Sequence, residues 1–290
     1  MRSATCGVCG ERPRSSKRTR VALNVTVKET TERHSPDRIR TVEESVIDAM
    51  HRFAYGVVEE YARPTDRLLE IGFGEGYGSE IVRSWVSEYV GVEVDAAAVA
   101  HAAERYRHPK STFLLYDGAT LAFDDSSFDL VISFQVIEHV LDPERFLREA
   151  HRVARGRGIV LIVTPNRNHR LDEGERPWNR YHVREFSPHE LETMMRYAFD
   201  AVEVFGIHGS ATMNEIERNR VARARRLARL DPLGLRYHLP ESIDTRLRTA
   251  LRRRSGGESA TLPPQVGAEH MYRTRDNTAA SLDLLAVGRG

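Results

Sequence analysis

The stretch that decides the fold is LLEIGFGEGYG, residues Leu68–Gly78. A short apolar run enters four alternating glycines, and a helix is predicted directly behind them. Glycines after a strand let the backbone turn tightly and let a ligand lie against it. Glu93 follows Gly72 by 21 residues, at the end of the next predicted strand. A carboxylate there accepts hydrogen bonds from the hydroxyls of a ribose, so the stretch predicts a nucleoside-cofactor site.

The charge of this loop indicates which cofactor it takes. Glu70 and Glu75 flank the glycines, and beside a pyrophosphate each carboxylate would cost about 1 kcal/mol or more. They suit a cofactor with a sulfonium and an ammonium group and no phosphate, namely S-adenosylmethionine. Tyr77 also stands where the dinucleotide-binding pattern G-x-G-x-x-G has its third glycine. An NAD-dependent oxidoreductase is the alternative.

Outwards from the loop, β-rich apolar runs alternate with helical periodicity. The predicted strands are Arg67–Ile71, Tyr89–Val94, Thr112–Tyr116, Phe128–Phe134, Gly158–Val163, Ala201–Ile207 and Ser281–Val287. The predicted helices are Val42–Tyr61, Ser79–Ser87, Ala96–Tyr106, Pro143–Ala154 and Ser187–Tyr197. Strands that alternate with helices of this length form a parallel sheet with helices on both faces, so the predicted class is α/β.

The chain is predicted to hold one α/β domain with two additions. Residues 1–40 are expected to be a flexible leader, residues 41–207 and 281–290 the domain, and residues 208–280 an insertion that forms a lid or substrate-binding segment. The insertion is rich in arginine, with 12 Arg against 5 acids between Asn214 and Arg254. Such a cluster suits an anionic substrate, and a solvated amphipathic helix over Glu215–Leu230 is the alternative.

Composition excludes several classes of protein. The 290 residues are 40% hydrophobic with a formal net charge of +1, which fits a globular protein and argues against a simple basic nucleic-acid binder. No apolar run reaches the roughly 20 residues of a membrane helix, so the expected location is cytoplasmic. Cys6 and Cys9 form a single CxxC pair, half of the ligand set of a structural zinc site.

With these features the sequence resembles the class I S-adenosylmethionine-dependent methyltransferases. The stretches that carry the resemblance are Glu70–Gly78, Val90–Asp95, Leu115–Ala119, Phe128–Phe134, Gln135–Val140 and Leu147–Asn166. The resemblance covers roughly residues 65–210 and the last predicted strand. It implies a Rossmann-like, mostly parallel sheet of seven strands, in which the last strand is antiparallel.

The resemblance also implies a role for each cofactor-site residue. Gly72, Gly74 and Gly76 would pass beneath the methionine part of the cofactor, with Glu70 near its ammonium group. Glu93 would hold the ribose. The remaining members are Asp117, which would bind the adenine amine, Gly118, which leaves room for the ring, and Phe134 and Gln135, which border the sulfonium and the acceptor. The alternatives are a turn residue for Asp117, a surface strand end for Glu93 and an ion pair with Arg67 for Glu70.

The predicted catalytic residues are His139 and His182, since transfer to an oxygen of high pKa needs a base. Packing in the core or capping of a helix is the alternative for His139, and orientation of the substrate is the role favoured for His182. Similar enzymes of ubiquinone biosynthesis use acids before the Glu-His pair. This chain has Gln135 in place of the first acid, so no metal ion is predicted.

The flanking motifs Thr31–Pro36 and Tyr181–Phe186 are similar to bacterial methyltransferases of cell-envelope glycan pathways. The predicted reaction is therefore O-methylation of a sugar hydroxyl or another small hydroxylated metabolite, and the expected partner is a small-molecule or glycan substrate. A quinone or natural-product methyltransferase is the alternative. A nucleic-acid methyltransferase is less favoured, because the insertion lacks interleaved aromatic residues for base stacking.

Overall fold

The computed structural model describes residues 34–231 and 266–290, which build a single mixed sheet with helices on both faces. The strand order is β3-β2-β1-β4-β5-β8-β6-β7. The strands are β1 Arg67–Ile71, β2 Glu88–Glu93, β3 Ser111–Leu115, β4 Phe128–Phe134, β5 Ala154–Pro165, β6 Ala201–His208, β7 Tyr272–Thr274 and β8 Asp283–Arg289. The helices are α1 Val42–Val57, α2 Gly78–Val82, α3 Ala96–Arg105, α4 Pro143–Val153, α5 Arg167–Arg170, α6 Pro188–Met195 and α7 Ala211–Arg229.

The pairing of the strands confirms the predicted architecture. β1 to β5 are parallel to one another, and β8 runs antiparallel between β5 and β6. The structure adds an eighth strand that the sequence did not indicate, β7, which pairs antiparallel with β6 at the edge of the sheet. Its three residues are too few to show a strand periodicity.

The central strands are buried on both faces, which explains their nearly continuous apolar runs. In β4 every residue except Asp129 is buried, and the last six residues of β5 are all buried. Two apolar layers cover the sheet, one built on α1 and α3 and the other on α4 and α6. The site described below lies at the carboxyl ends of these strands.

Helix ends follow the expected capping chemistry. Thr41 and Glu44 form a capping box on α1, and Ser187 and Glu190 form another on α6, directly before its proline. In each box the hydroxyl and the carboxylate accept from backbone N–H groups that the helix leaves unpaired. The helix predicted over Ser187–Tyr197 is therefore α6, and it begins at the predicted capping residue, Ser187.

One predicted helix was too long. The helix expected over Ser79–Ser87 is α2, which ends at Val82. The backbone N–H of Ser87 donates to the carbonyl oxygen of Asp66 at 2.8 Å, and this contact with the start of β1 requires the chain to leave the helical path. Val86 is buried by the same turn, so its apolar character reflects packing rather than a helical face.

The described part of the insertion contains helix α7 and strand β7. The predicted amphipathic helix over Glu215–Leu230 is found as α7, which begins four residues earlier and packs beside α1. Residues 1–33, with Cys6 and Cys9, and residues 232–265 lie outside the described residues, so the boundaries of the leader and the insertion stay predictions. Within the described residues, no helix combines the length and apolar character that crossing a membrane requires.

Asn166, at the end of β5, ties the last strand to the sheet. It is fully buried, and its side-chain nitrogen donates to the carbonyl oxygens of Thr278 and Ser281, both at 2.9 Å. Its backbone N–H donates to the carbonyl oxygen of Leu282 at 3.2 Å. These bonds set where β8 begins, and therefore where Asp283 stands.

Candidate active site

The candidate site lies at the carboxyl ends of β1 and β4, where the strand order reverses. β1 has β2 on one side and β4 on the other, so the loops after β1 and β4 diverge to opposite faces of the sheet. In open α/β sheets ligands bind in the crevice that such a divergence leaves. The predicted cofactor residues after β1 and the predicted catalytic residue His139 after β4 therefore lie at the same edge of the sheet.

The glycine loop has the backbone conformation that the sequence predicted. Gly72, Gly74 and Gly76 have φ of +81°, +59° and +87°, a region that favours glycine. A Cβ on Gly72 would stand 2.5 Å from the side chain of Val136, whereas a Cβ on Gly74 would meet no atom within 4 Å. Gly72 is thus packed against the protein, and Gly74 presents open backbone to the crevice.

Glu93 closes the loop from the end of β2. One of its carboxylate oxygens accepts from the backbone N–H of Gly74 at 3.0 Å, and the other accepts from that of Val94 at 2.7 Å. The carboxylate thus stands beside the open part of the glycine loop. This position is compatible with the predicted contact to a ribose.

Glu70 lies below the loop and is 1% exposed. The hydroxyls of Tyr55 and Tyr89 donate to its two carboxylate oxygens at 2.6 and 2.5 Å. Burial raises the pKa of Glu70 to about 7, and the charge of Glu93 raises it further against the opposing hydrogen bonds. The alternative of an ion pair with Arg67 is wrong, because Arg67 pairs with Glu88 at 2.6 Å.

Asp117 and Gly118 form the turn after β3. A carboxylate oxygen of Asp117 accepts from the backbone N–H groups of Ala119 and Thr120 at 2.8 and 2.9 Å. Gly118 has φ of +79°, which the turn requires. The carboxylate therefore has the turn role that the sequence left open, and its contact with adenine stays a prediction.

Phe134 and Gln135 end β4 at the edge of the crevice. The ring of Phe134 packs edge-on against that of Tyr55, with centroids 5.2 Å apart. Gln135 has a left-handed backbone with φ of +57°, and its side-chain nitrogen donates to a carboxylate oxygen of Asp283 at 2.8 Å. Both residues thus stand between the glycine loop and the histidines.

The two predicted catalytic histidines are brought together. Their ring centroids are 4.9 Å apart with the rings nearly perpendicular. Nδ1 of His139 lies 3.1 Å from the carbonyl oxygen of Tyr181, and Nδ1 of His182 lies 2.7 Å from a carboxylate oxygen of Glu185. Since both partners only accept hydrogen bonds, Nδ1 carries the proton in each neutral ring.

Arg170 completes the surroundings of His182. Its Nε donates to both carboxylate oxygens of Glu185 at 3.0 and 3.1 Å, and its guanidinium lies 4.3 Å from the ring centre of Trp178. Hydrogen bonds from His182 and the charge of Arg170 keep the pKa of Glu185 below its usual value despite its burial. Glu185 therefore stays ionised and holds the orientation of His182.

Glu138 faces the histidines from the short 3-10 helix after β4. It is 1% exposed, and burial raises its pKa to about 7, although the hydroxyl of Thr164 donates to it at 2.9 Å. Glu138, His139 and His182 each bring one donor atom within 4.8 Å of the others, a set of the type that holds a divalent cation. The absence of a metal from the reaction stays a prediction.

A second cluster near the glycine loop was missed by the sequence analysis. Nδ1 of His51 lies 2.8 Å from the hydroxyl of Tyr77, and Nε2 of His34 lies 2.9 Å from a carboxylate oxygen of Asp48. The rings of His34 and His51 are 4.7 Å apart. Asp48, His51 and Tyr55 stand three and four residues apart in α1, a spacing that places polar side chains on one side of the helix. Apolar periodicity alone does not reveal this polar set.

The comparisons with known proteins agree with this geometry. Residues 69–162 match the family model described as a methyltransferase domain. A Mycobacterium tuberculosis protein named "Probable S-adenosylmethionine-dependent methyltransferase" is 39% identical over 128 residues, 44% of this chain and 46% of that protein. The chloroplastic tocopherol O-methyltransferase of Arabidopsis thaliana is 32% identical over 157 residues, 51% of this chain and 43% of that protein.

Solved structures confirm the fold. The crystal structure of the [4+2]-cyclase SpnF covers 82% of this chain and 80% of its own, with a TM-score of 0.54 and 18% identity. A fold shared at this identity defines the architecture and leaves the reaction to the site.

The matched stretch runs from β1 into β5 and includes the glycine loop, Glu93 and the Glu138–His139 pair. The match to a methyltransferase-domain model supports the predicted enzyme class for this part of the chain. The chain spans slightly under half the length of the curated relatives described above.

Proposed function

We propose that this protein transfers a methyl group from S-adenosylmethionine to a hydroxyl group of a sugar or another small hydroxylated metabolite. The observation that carries the proposal is the pair His182–Glu185, held at 2.7 Å beside His139, which follows β4. The pair supplies an oriented base on the side where an acceptor would enter.

The cofactor side supports S-adenosylmethionine. Open backbone at Gly74 and the carboxylate of Glu93 beside it suit the methionine and ribose parts of this cofactor. S-adenosylmethionine supplies a methyl group already activated by its sulfonium. What the protein must add is alignment of the acceptor and exclusion of water. The aromatic rings of Tyr55 and Phe134, which are buried and pack edge-on against each other, would help to exclude water there.

The proton balance of the reaction assigns the role of His182. The acceptor hydroxyl loses its proton as its oxygen forms the new bond to carbon. With Nδ1 donating to Glu185, Nε2 of His182 is the nitrogen that accepts this proton, and the carboxylate then stabilises the imidazolium. His139, fixed by the carbonyl of Tyr181, packs edge-on against this ring and restricts its rotation.

Four of the six arginines of α7 support an uncharged acceptor. Arg223 pairs with Glu43 of α1, Arg220 pairs with Glu217, and both Arg225 and Arg229 pair with Asp172 and Glu175. The pairs of Arg223, Arg225 and Arg229 fasten the helix to other parts of the domain, whereas the pair of Arg220 lies within α7. All four guanidiniums have their charge compensated. The expectation that this cluster meets an anionic substrate has no support from these four side chains.

Calorimetry tests the cofactor. S-adenosylhomocysteine should bind, and NADH should not. Binding of NADH with no binding of S-adenosylhomocysteine would overturn the proposal in favour of an oxidoreductase. A screen with radiolabelled S-adenosylmethionine then tests the acceptor, with oligosaccharides, hydroxy acids and phenols as parallel panels and His182→Ala as the inactive control.

A phenolic acceptor is the second candidate. The similarity to tocopherol O-methyltransferase over 51% of this chain favours it. Label transferred to phenols and not to oligosaccharides would select this candidate. A segment that binds an aromatic acceptor is expected to contain many aromatic residues, but residues 208–280 contain two, Tyr237 and Tyr272. The sugar hydroxyl is therefore preferred.

A further inference from the structure

Gln135 combines an unusual backbone with a central position. It follows β4 at the edge where the loops of β1 and β4 diverge, and its φ of +57° lies in the left-handed region. Such a conformation costs a residue other than glycine about 1 kcal/mol or more, so its surroundings must fix it. The backbone N–H contributes by donating to the carbonyl oxygen of Val163 at 2.8 Å.

The side chain of Gln135 is fixed from the far end of the sequence. Asp283, the first residue of β8, accepts from its side-chain nitrogen at 2.8 Å and is 3% exposed. In the sheet Asp283 is paired with Pro165 of β5 and Ile207 of β6. The two neighbouring strands therefore fix the backbone of Asp283. The contact of its carboxyl with Gln135 joins β8 to the predicted cofactor edge of the sheet.

We propose that Asp283 is a positioning residue of the cofactor site, which holds the side-chain amide of Gln135 in one orientation. The proposal rests on the proposed function and on the predicted place of Gln135 beside the sulfonium. Since the amide nitrogen faces Asp283, the amide oxygen is directed away from it. An amide oxygen carries a partial negative charge, which attracts the positively charged methyl sulfonium and not the neutral thioether of the product.

Burial and the neighbouring charges shift the pKa of Asp283 into a pH range that an experiment can follow. Burial is the main reason that the pKa of Asp283 is raised to about 8, and Glu217 of α7 and Glu138 raise it further. Arg170 of α5 and the hydrogen bond from Gln135 act in the opposite direction. The carboxyl therefore titrates in an accessible range while its partner, an amide, does not titrate at all.

Side-chain amide resonances test the contact without any cofactor. The chain has two glutamines, Gln135 and Gln265, so labelling of glutamine side chains with nitrogen-15 gives two amide signals, and Gln265→Glu assigns them. The Gln135 signal should shift with a midpoint near pH 8 in the wild type and should stay constant in Asp283→Asn. A Gln135 signal that does not titrate, or that titrates equally in Asp283→Asn, would overturn the proposal.

Cofactor discrimination tests the role. The ratio of the Kd of S-adenosylhomocysteine to that of S-adenosylmethionine is measured by calorimetry for Gln135→Ala, Asp283→Ala and the double variant. Each single variant should lower this ratio by about tenfold, the equivalent of one hydrogen bond to a charged group. The double variant should lower the ratio no further, because both changes remove the same interaction, that of the oriented Gln135 amide with the sulfonium.

Controls separate this role from a general loss of structure. Asp283→Asn keeps an oxygen that accepts from Gln135 and should restore most of the ratio, and Asp276→Asn, an exposed change on the same segment, should match the wild type. Additive losses in the double variant would overturn the proposal. If the wild type binds neither compound, the proposed function and the cofactor role of Asp283 both fail, while the amide signals still decide whether Asp283 fixes Gln135.

Discussion

The two sides of the crevice are built in different ways. On the cofactor side, the glycine loop, Glu70 and Glu93 come from two consecutive strands, and Gly74 contacts Glu93 only 19 residues away. On the acceptor side, His139 contacts Tyr181 at a separation of 42 residues, and Gln135, which stands between the two sides, contacts Asp283 at a separation of 148. The first side is a local motif, and the second exists only when distant segments have assembled. Substitutions on the two sides should therefore fail in different ways.

The largest effect is expected for His182→Ala. Loss of the base should lower turnover about 10²-fold to 10⁴-fold, measured with the acceptor that the labelling screen identifies. Calorimetric affinity for S-adenosylhomocysteine should stay within about twofold of the wild type, because Glu185 and His139, which His182 contacts, lie outside the glycine loop. His189→Ala, an exposed histidine at the start of α6, serves as the control. Loss of cofactor binding in His182→Ala would contradict the separation of the two sides.

Glu93→Ala should show the opposite behaviour. It removes the predicted ribose contacts and the carboxylate that holds Gly74, so affinity for S-adenosylhomocysteine should fall by about 1–3 kcal/mol. Glu88→Ala at the other end of the same strand removes an ion pair with Arg67 and should leave affinity unchanged. Equal affinities of the two variants in calorimetry would remove the ribose assignment.

Asp283→Asn should change how stability depends on pH. Because the folded state raises the pKa of Asp283 to about 8, that state holds a proton that the unfolded state has lost above about pH 4. This carboxyl therefore makes the free energy of unfolding decrease as the pH rises from about 4 to 8. The melting temperature of Asp283→Asn relative to the wild type should rise over this range, whereas that of Asp276→Asn should not. A constant difference would contradict the raised pKa.

The smallest effect is expected for Arg223→Ala in α7. Arg223 and Glu43 form an ion pair in which the arginine side chain is 60% exposed, so its loss should change the free energy of unfolding by about 0.5 kcal/mol or less. Met213→Ala in the same helix removes a fully buried side chain and should cost about 2–5 kcal/mol. Urea denaturation compares the two. A larger loss in Arg223→Ala would mean that charge, rather than packing, holds the helix.

The difference between the two sides also explains what the sequence could predict. β1 and β4 were predicted to the residue, and the tight turn at the glycines was expected from their place after a strand, because a strand and its following turn are set by adjacent residues. The roles of Glu185, Arg170 and Asp283 were not predicted. Each depends on which loop stands above which strand, and β8 enters the sheet between β5 and β6, a neighbourhood that periodicity does not encode.

The two histidines were selected by their place after β4 and β5, and the structure brings them together. Their hydrogen-bond partners were not predicted, because nothing in the sequence distinguished Glu185 from its neighbours in Tyr181–Phe186. Glu70 was expected to contribute charge, and the structure instead gives it two tyrosine hydroxyls and a pKa raised to about 7. Tyr55 and Tyr89 belong to α1 and β2, so only the packed fold shows that the carboxylate is shared.

The position of β8 has a consequence for how the molecule is made. β6 pairs with β8 and not with β5. In a nascent chain that contains β1 to β6 but not yet β8, one edge of β5 therefore stays unpaired until β8 is synthesised. Long-range pairing of this kind is slow and leaves apolar edges open to association. We expect the half of the protein with the histidines to be the one that chaperones protect during synthesis, while the glycine-loop half is already formed.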